Sequence, residues 1–396
     1  MFRFPRAVWL LGWVSLATDA ATEAIYPLLP FFLTRVLGAG AVSLGIVEGA
    51  AEAVNSVLKI LSGRVADRSR TKRPLVLFGY SVSSFARPFI AVTTTWTQVF
   101  VVRVLDRVGK GVRGAPRDAL LAMWATPSTR GKIYGFHRAM DHLGAVVGPA
   151  LASAFLFFYP GQYRTLFALT IIPGAVAVTL IFFVSEDHQP PSTESSQSQG
   201  FSASSAVALP REFTRFMFVL ALFMLGNSTD AFLLLKLTDA AGGVQFIPLL
   251  WSAHHVVKAA VSVVGGSWSD RVGRRSVIAI GWLVYAAVYA GFALSETLPA
   301  LIAWFLVYGF YFGFAEGTEK ALVADLAPAS RRGFAFGVYT AVQGVGALAA
   351  SVLFGLIWNA YGAALAFAVG AALALAATVL LFAIIDPLHA ADSRHQ

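Results

Sequence analysis

The stretch Gly266-Ser267-Trp268-Ser269-Asp270-Arg271-Val272-Gly273-Arg274-Arg275 closes an apolar run and opens a basic turn. Gly63-Arg64-Val65-Ala66-Asp67-Arg68-Ser69-Arg70-Thr71-Lys72-Arg73 does the same 203 residues earlier. The flanks repeat as well. A shift of 202 superposes, without a gap, Gly111 on Gly313, Ala119 on Ala321, Ala122 on Ala324, Arg130 on Arg332, Gly131 on Gly333, Gly135 on Gly337 and Gly144 on Gly346. A shift of 211 lays Thr18-Asp19-Ala20 on Thr229-Asp230-Ala231. The chain therefore reads as two parallel copies of one unit that differ mainly in a loop.

The composition says where such a unit lives. Of 396 residues, 57% are hydrophobic and 13% charged, whereas about a quarter of a soluble domain is charged. Mean hydropathy is +0.69, so the chain belongs in lipid. A bilayer core about 30 Å thick takes roughly 20 apolar residues per helix, which leaves room for about twelve spans. They are read at 8–34, 41–62, 74–94, 97–120, 131–158, 163–184, 213–236, 244–265, 276–295, 298–322, 333–357 and 362–385. The expected fold is an all-α membrane protein with two pseudo-twofold related six-helix bundles. They occupy 1–185 and 212–386, joined by a linker over 186–211 and followed by a tail over 387–396. The linker is rich in Ser, Gln and Pro, as a solvated connection would be.

Arg3 and Arg6 precede a short apolar run, which imitates a secretory signal. The run continues past Asp19 and Glu23 to Leu33 and its pattern recurs in the second half, so it reads as a span. The net charge of +9 is not a nucleic-acid footprint, because the basic residues collect at alternate span ends. Arg64, Arg68, Arg70, Lys72 and Arg73 follow the second span, Arg130 and Lys132 the fourth, Arg271, Arg274 and Arg275 the eighth, and Arg331 and Arg332 the tenth. The positive-inside rule then places both termini in the cytoplasm of a cell whose inner (plasma) membrane holds the protein. Cysteine is absent, which excludes disulfides and thiolate metal sites.

A charge at mid-bilayer costs on the order of 2.5–3.5 kcal/mol on insertion scales and needs a partner or water. Glu48, Glu52, Asn55 and Lys59 form one stripe of the second span. Arg103, Arg107 and Lys110, flanked by Asp106 and Arg113, form another in the fourth. The first span carries Asp19, Glu23 and Tyr26; the fifth pairs His137 with Asp141; the seventh has Asn227 and Asp230; the eighth has His254, His255 and Lys258; the tenth has Glu316, Glu319 and Lys320. Internal ion pairs such as Glu52 with Lys59 and Asp106 with Lys110 are the plain structural reading. Apolar packing would stabilise as well, so the whole set points to a hydrated solute and proton pathway. The halves differ in charge at equivalent places: Glu52 matches His255, Asn55 matches Lys258, Arg117 matches Glu319 and Asp118 matches Lys320. They share a scaffold without sharing a chemistry.

The loop after the second span resembles the signature of the major facilitator superfamily, G-x-x-x-D-R-x-G-R-[RK]. Residues 266–275 fit it throughout, and the first copy has Arg70 where the second glycine stands. Asp19 followed by Pro27-Leu28-Leu29-Pro30 is similar to the first-helix motif of the drug/proton antiporter branch. Arg103 stands where the family has a membrane-embedded arginine, with Asp106 and Arg107 at the usual polar and glycine positions. Gly135, Gly144, Gly148 and Pro149 resemble the antiporter motif G-x8-G-x3-G-P, with Ala152-Ser153 replacing its last two glycines. A small-residue face of this kind lets the helix pack closely, here expected against the second half, and the proline bends it.

The run over 106–118 misses the spacing of a phosphate-binding loop. Its Gly109, Gly111, Gly114 and Pro116 are expected to loosen the helix and let its basic residues meet an anionic solute or nearby carboxylates. No pair among His137, His142, His254 and His255 has metal-ligand spacing on one face, so no metal is expected and hydrogen bonding or proton relay is. No nucleophile, base and acid constellation appears, so an enzyme is not expected.

The reading is a monomeric secondary transporter working by alternating access, with a small-molecule substrate, protons and the lipid bilayer as partners and no nucleic acid. It needs no cofactor beyond a proton gradient. Asp19 is the first choice for proton coupling, then Glu23, Glu48, Glu52 and Asp230. Tyr26, Asn55, Arg103, Asp106, Arg107, Lys110, Arg113, His137, Asp141, Asn227, His254, His255, Lys258, Glu316 and Glu319 are read as lining the solute path. Asp67, Arg68, Asp270 and Arg271 are the gate latches. The direction expected is export by antiport; uptake of an anionic metabolite or metal chelate is the alternative, and a non-transporting sensor or scaffold the remaining one.

Overall fold

The computed structural model describes residues 4–69, 71–125, 129–186, 209–328 and 331–384, and those residues are helical with no strand among them. In the first half the helices are α1 (Arg6–Ile25), α2 (Ala41–Arg68), α3 (Arg73–Ala86), α4 (Trp96–Met123), α5 (Arg130–Phe158), α6 (Tyr163–Leu169) and α7 (Ile171–Phe182). The second half has α8 (Arg211–Gly226), α9 (Ala231–Ala241), α10 (Ile247–Val272), α11 (Arg274–Leu294), α12 (Leu298–Leu326), α13 (Arg332–Tyr361) and α14 (Ala363–Ile384). Most of the linker and the whole tail lie outside the described residues.

Among the described residues, nine helical stretches are long and apolar enough to cross a membrane: Ala41–Ala66, Arg73–Val92, Lys132–Phe158, Tyr163–Phe182, Arg211–Ala241, Arg274–Leu294, Leu298–Leu326, Arg332–Tyr361 and Ala363–Ala383. The stretches read at 8–34, 97–120 and 244–265 are helical but outside that set. For α4 the reason is its charge: Arg103, Asp106, Arg107, Lys110, Arg113, Arg117 and Asp118 all fall within it.

Several spans expected as unbroken helices are interrupted: the sixth divides at Thr170 into α6 and α7, and the third passes into a 3₁₀ turn at Arg87–Val92. The first span is α-helical to Ile25, passes through a 3₁₀ turn at Tyr26–Leu28, resumes one α turn at Leu29–Phe31 and ends in a π turn at Phe32–Val36. Pro27 and Pro30 lack the N–H that would continue the ladder, so its register shifts around them. The seventh breaks between α8 and α9 at Asn227–Asp230. No proline is needed there, because Asn, Ser, Thr and Asp offer the backbone competing partners; Thr229 Oγ1 accepts from the Ala231 N–H at 3.4 Å.

The helices cluster into two compact units. One gathers residues 1–39, 50–200 and 243–252, the other 40–49, 201–242 and 253–396. The short exchanged segments, 40–49 and 243–252, are counterparts under the 203-residue shift. Each unit repeats one packing scheme. In the first, α1 packs on α5, α3 on α4, and α7 on both α1 and α3; in the second, α8 packs on α13, α11 on α12, and α14 on both α8 and α11.

Glycines set these close approaches. A Cβ on Gly111 would lie 2.6 Å from Leu58 Cβ, and one on its counterpart Gly313 would lie 2.7 Å from Val261 Cβ, the counterpart of Leu58. Gly144 presses on the Leu16 carbonyl of α1, and Gly346 on Met224 of α8. This corrects the expected partner of the fifth-span glycines. Gly144 and Gly148 both abut α1 of their own half, and Gly135 has nothing within 4 Å of an added Cβ. Elsewhere on α5 the partner is the exchanged segment, where Ser252 Oγ donates to the Val146 carbonyl at 2.8 Å. Gly109 and Gly111 likewise serve contact with α3 and α2 while α4 stays helical through Pro116, so the loosening expected of that run is not seen.

Candidate functional site

The charged face of the first unit is built on α4, which opens with a capping box: Thr95 accepts from the Gln98 N–H and Gln98 accepts in return. Helical spacing then brings Arg103, Asp106 and Arg113 inward, each at most 4% exposed. Asp106 pairs with Arg87 of the adjoining 3₁₀ turn at 3.0 Å and with Arg103 at 3.6 Å. Those two arginines, not Lys110, are its partners: Arg87 reaches it from the neighbouring turn and Arg103 from one turn earlier on α4 itself. Arg113 donates to Ser83 Oγ at 2.8 Å and lies over the Tyr80 ring at 4.3 Å.

A second chain of contacts runs from Arg103, whose guanidinium lies 5.8 Å from the centre of the Tyr26 ring. Tyr26 meets the Trp251 ring at 5.1 Å, and Trp251 Nε1 donates to Glu23 Oε2 at 2.8 Å. Asp141 accepts from Ser15 and faces His137 Nδ1 at 3.6 Å. The charges acting on Asp19 are those of Asp141, Lys110, Glu23 and Arg113. Lys110 in turn is flanked by Arg107, Asp19, Glu52 and Glu23, and Glu52 accepts from Asn55 Nδ2 at 3.1 Å. One unit thus gathers Asp19, Glu23, Tyr26, Glu52, Asn55, Arg103, Asp106, Arg107, Lys110, Arg113, His137 and Asp141. Glu48, one turn before Glu52 on α2, is buried and is grouped with the other unit through the segment 40–49.

In the second unit the helix break carries the polar groups. Tyr308 donates to Asp230 Oδ1 at 2.8 Å, Asn227 Nδ2 to the Tyr311 hydroxyl at 3.1 Å, and Tyr285 to the Gly226 carbonyl at 2.8 Å. Ser228 and Tyr289 hydroxyls lie 2.9 Å apart. Glu319 accepts from Trp282 Nε1 at 2.9 Å and from the Tyr339 hydroxyl at 3.0 Å. Glu316 bridges Lys258 at 3.6 Å and Lys320 at 3.1 Å. His254 stacks on Phe305 and sits 3.1 Å from its carbonyl, with the His255 ring turned 85° away. Among the described residues no group of three His, Cys, Asp or Glu is placed to hold a metal ion.

Tyr285, Tyr289, Tyr308, Tyr311, Trp282 and Tyr339 escaped the sequence reading because aromatic residues in apolar helices carry little information alone. The signal was in the repeat. Under the 202-residue shift Tyr80, Ser83 and Arg87 become Trp282, Tyr285 and Tyr289, and Arg103, Asp106 and Lys110 become Phe305, Tyr308 and Phe312. The seam held by Arg87 and Asp106 in one half is held by Tyr289 and Tyr308 rings, 6.5 Å apart, in the other. Even the i,i+4 pair His137–Asp141 returns as Tyr339–Gln343, bonded at 2.8 Å.

Of the latch residues, Arg271 is exposed, and the side chains of Asp67, Arg68 and Asp270 lie outside the described set. The turns beside them are anchored in matching ways. Arg73 donates to the Phe182 carbonyl and Arg275 to the Phe382 carbonyl. Glu186 accepts from the backbone N–H groups of Lys72 and Arg73, and Arg274 pairs with Asp325 at 3.2 Å. Neither acidic group stood out in the sequence.

Comparison with known proteins agrees with this architecture. The family model of the Major Facilitator Superfamily matches residues 9–249 and 216–396. The uncharacterized MFS-type transporter MJ1317 of Methanocaldococcus jannaschii is 31% identical over 383 residues, which is 95% of this chain and 94% of the relative. The multidrug resistance protein MdtH of Edwardsiella ictaluri is 25% identical over 317 residues, 78% of this chain and 76% of that protein. Among solved structures, the nucleoside transporter NupG superposes with a TM-score of 0.78 at 15% identity, covering 96% of this chain and 99% of NupG.

Proposed function

This chain belongs to the Major Facilitator Superfamily, and from that membership we propose that it exports a small solute in exchange for protons by alternating access. Twelve spans, cytoplasmic termini and a monomer in the inner (plasma) membrane are part of the proposal, as is the proton gradient as energy source. The observation that carries the coupling is the setting of Asp19. Two carboxylates, Asp141 and Glu23, and two cations, Lys110 and Arg113, act on it, so a change in the distance of either kind of neighbour changes its hold on a proton. Glu23 is engaged by Trp251 and Asp230 by Tyr308, which makes them second choices. Asp67, Arg68, Asp270 and Arg271 remain the proposed latches. The distant likeness to a multidrug resistance protein supports export over import.

The test is flux in proteoliposomes under an imposed pH gradient. Asp19→Asn is expected to lower gradient-driven transport at least ten-fold while leaving counterflow of unlabelled for labelled solute; undiminished gradient-driven flux removes Asp19 from the coupling role. Uptake of an anionic metabolite or metal chelate is the second reading, favoured by the arginine cluster on α4. Accumulation in inverted vesicles separates the two, because only an exporter fills them.

A further inference from the structure

The class of solute can be argued from one unbalanced group, given the transport reading above. The guanidinium groups of Arg87, Arg107, Arg103 and Arg113 all act on the single carboxylate of Asp106. These five side chains belong to residues that are at most 7% exposed. Arg87 and Arg103 take up the Asp106 oxygens, and Arg113 is held by Ser83 and the Tyr80 ring. Arg107 is left over. Its Nε and Nη1 are buried and have no hydrogen-bond partner among the described residues. The same holds for Arg87 Nε and Nη1, but Arg87 keeps its ion pair with Asp106, and no ion pair or hydrogen bond engages Arg107 among the described residues. The neighbouring cation, Lys110, offers repulsion, and its own opposite charges are Asp19, Glu52 and Glu23.

Four buried guanidinium groups sharing one carboxylate leave an excess of positive charge, which is strongly unfavourable, and buried N–H donors are almost always satisfied. The scaffold does not require the group: its counterpart in the second half is Gly309, packed against Val257. The fourth-span motif that this chain resembles also has glycine there. An arginine kept where the fold accepts glycine, with donors unmet, is suited to a ligand.

We propose that Arg107 docks the anionic group of the transported solute, so that the substrates are oxyanions, carboxylates or phosphates. Guanidinium donors match such groups better than an ammonium does. The positive charges of Arg103 and Arg113 add attraction without contact, and Lys110 sits on the same face one turn further along α4.

Thermal unfolding of the purified full-length protein in neutral detergent tests this, with inorganic phosphate and benzoate titrated at constant ionic strength against chloride. Saturable stabilisation by at least one of the two probes is expected, with half-saturation weakened at least ten-fold in Arg107→Gly, which copies Gly309, and in Arg107→Gln. Arg107→Lys retains part of the response and carries the comparison if the neutral variants do not survive purification. Equal responses in wild type and variants, or no response to either probe, overturn the proposal. An Arg107-dependent response to phosphatidylglycerol alone also overturns it, since the anion would then be a lipid headgroup. Because this is an equilibrium measurement, it stands apart from flux. A protein that moves cationic dyes unhindered by benzoate keeps the transport reading and loses this one.

Discussion

Arg87 and Asp106 sit 3.0 Å apart and are both almost wholly buried, so each is the other's main defence against an apolar surrounding. Removing one partner leaves an uncompensated charge, which costs about 3–5 kcal/mol, whereas replacing both by apolar groups of similar volume is often neutral. Asp106→Asn, which strands both Arg87 and Arg103, is therefore expected to lower unfolding stability more than the double change Arg87→Met with Asp106→Leu, which strands only Arg103, measured by thermal unfolding in detergent. A double variant less stable than the single one contradicts this. The second half already shows that the seam tolerates such a swap, with Tyr289 and Tyr308 in the same places. Asp106, Arg103 and Arg113 were legible as charges too many for a lipid-facing helix. Arg87 was just as visible, a lone arginine in the apolar stretch 74–94, but its partner lies 19 residues away and spacing on one helix does not reveal it.

Helices α2 and α4 meet at Gly111, and α10 and α12 meet at Gly313 in the same register. Both contacts leave no room for a side chain, and overpacking of this kind costs typically about 1–3 kcal/mol. Gly111→Val and Gly313→Val are expected to lower the unfolding temperature by similar amounts, while Gly114→Ala and Gly135→Ala, which meet open space, are expected to leave it unchanged. A large asymmetry between the first pair would deny that the two helix pairs are equivalent. The interruption at Asn227–Asp230 belongs to this level as well. Its residues form poor helix but are no certain stop, and hydropathy over 213–236 runs straight through them. What holds the break open is a set of tyrosines from α11 and α12, supplied by packing and hidden from any local reading.

The whole chain lacks cysteine, so each introduced thiol reports one position. With basic turns inside, Thr71→Cys is expected to resist a membrane-impermeant maleimide in intact cells and Gln162→Cys, at the other end of α5, to react; both positions are exposed. The reverse pattern would invert the proposed orientation. Composition, the charged-turn repeat and the alternation of basic ends suffice to identify a duplicated helical membrane protein, because hydropathy and loop charge are properties of short stretches that need no knowledge of neighbours. Most helix bounds followed within a few residues for the same reason, but the second and eighth spans run on to Arg68 and Val272, six and seven residues past the expected ends, where charge reads as the close of the span. Folding settled what those patterns leave open: that Gly144 and Gly148 of α5 face α1, that residues 40–49 and 243–252 group with the other unit, and that Arg107 keeps buried donors unmet while Arg87, which also has them, holds an ion pair with Asp106. Each depends on which helix lies beside which, and a side chain's charge balance is set by groups brought near from distant parts of the chain.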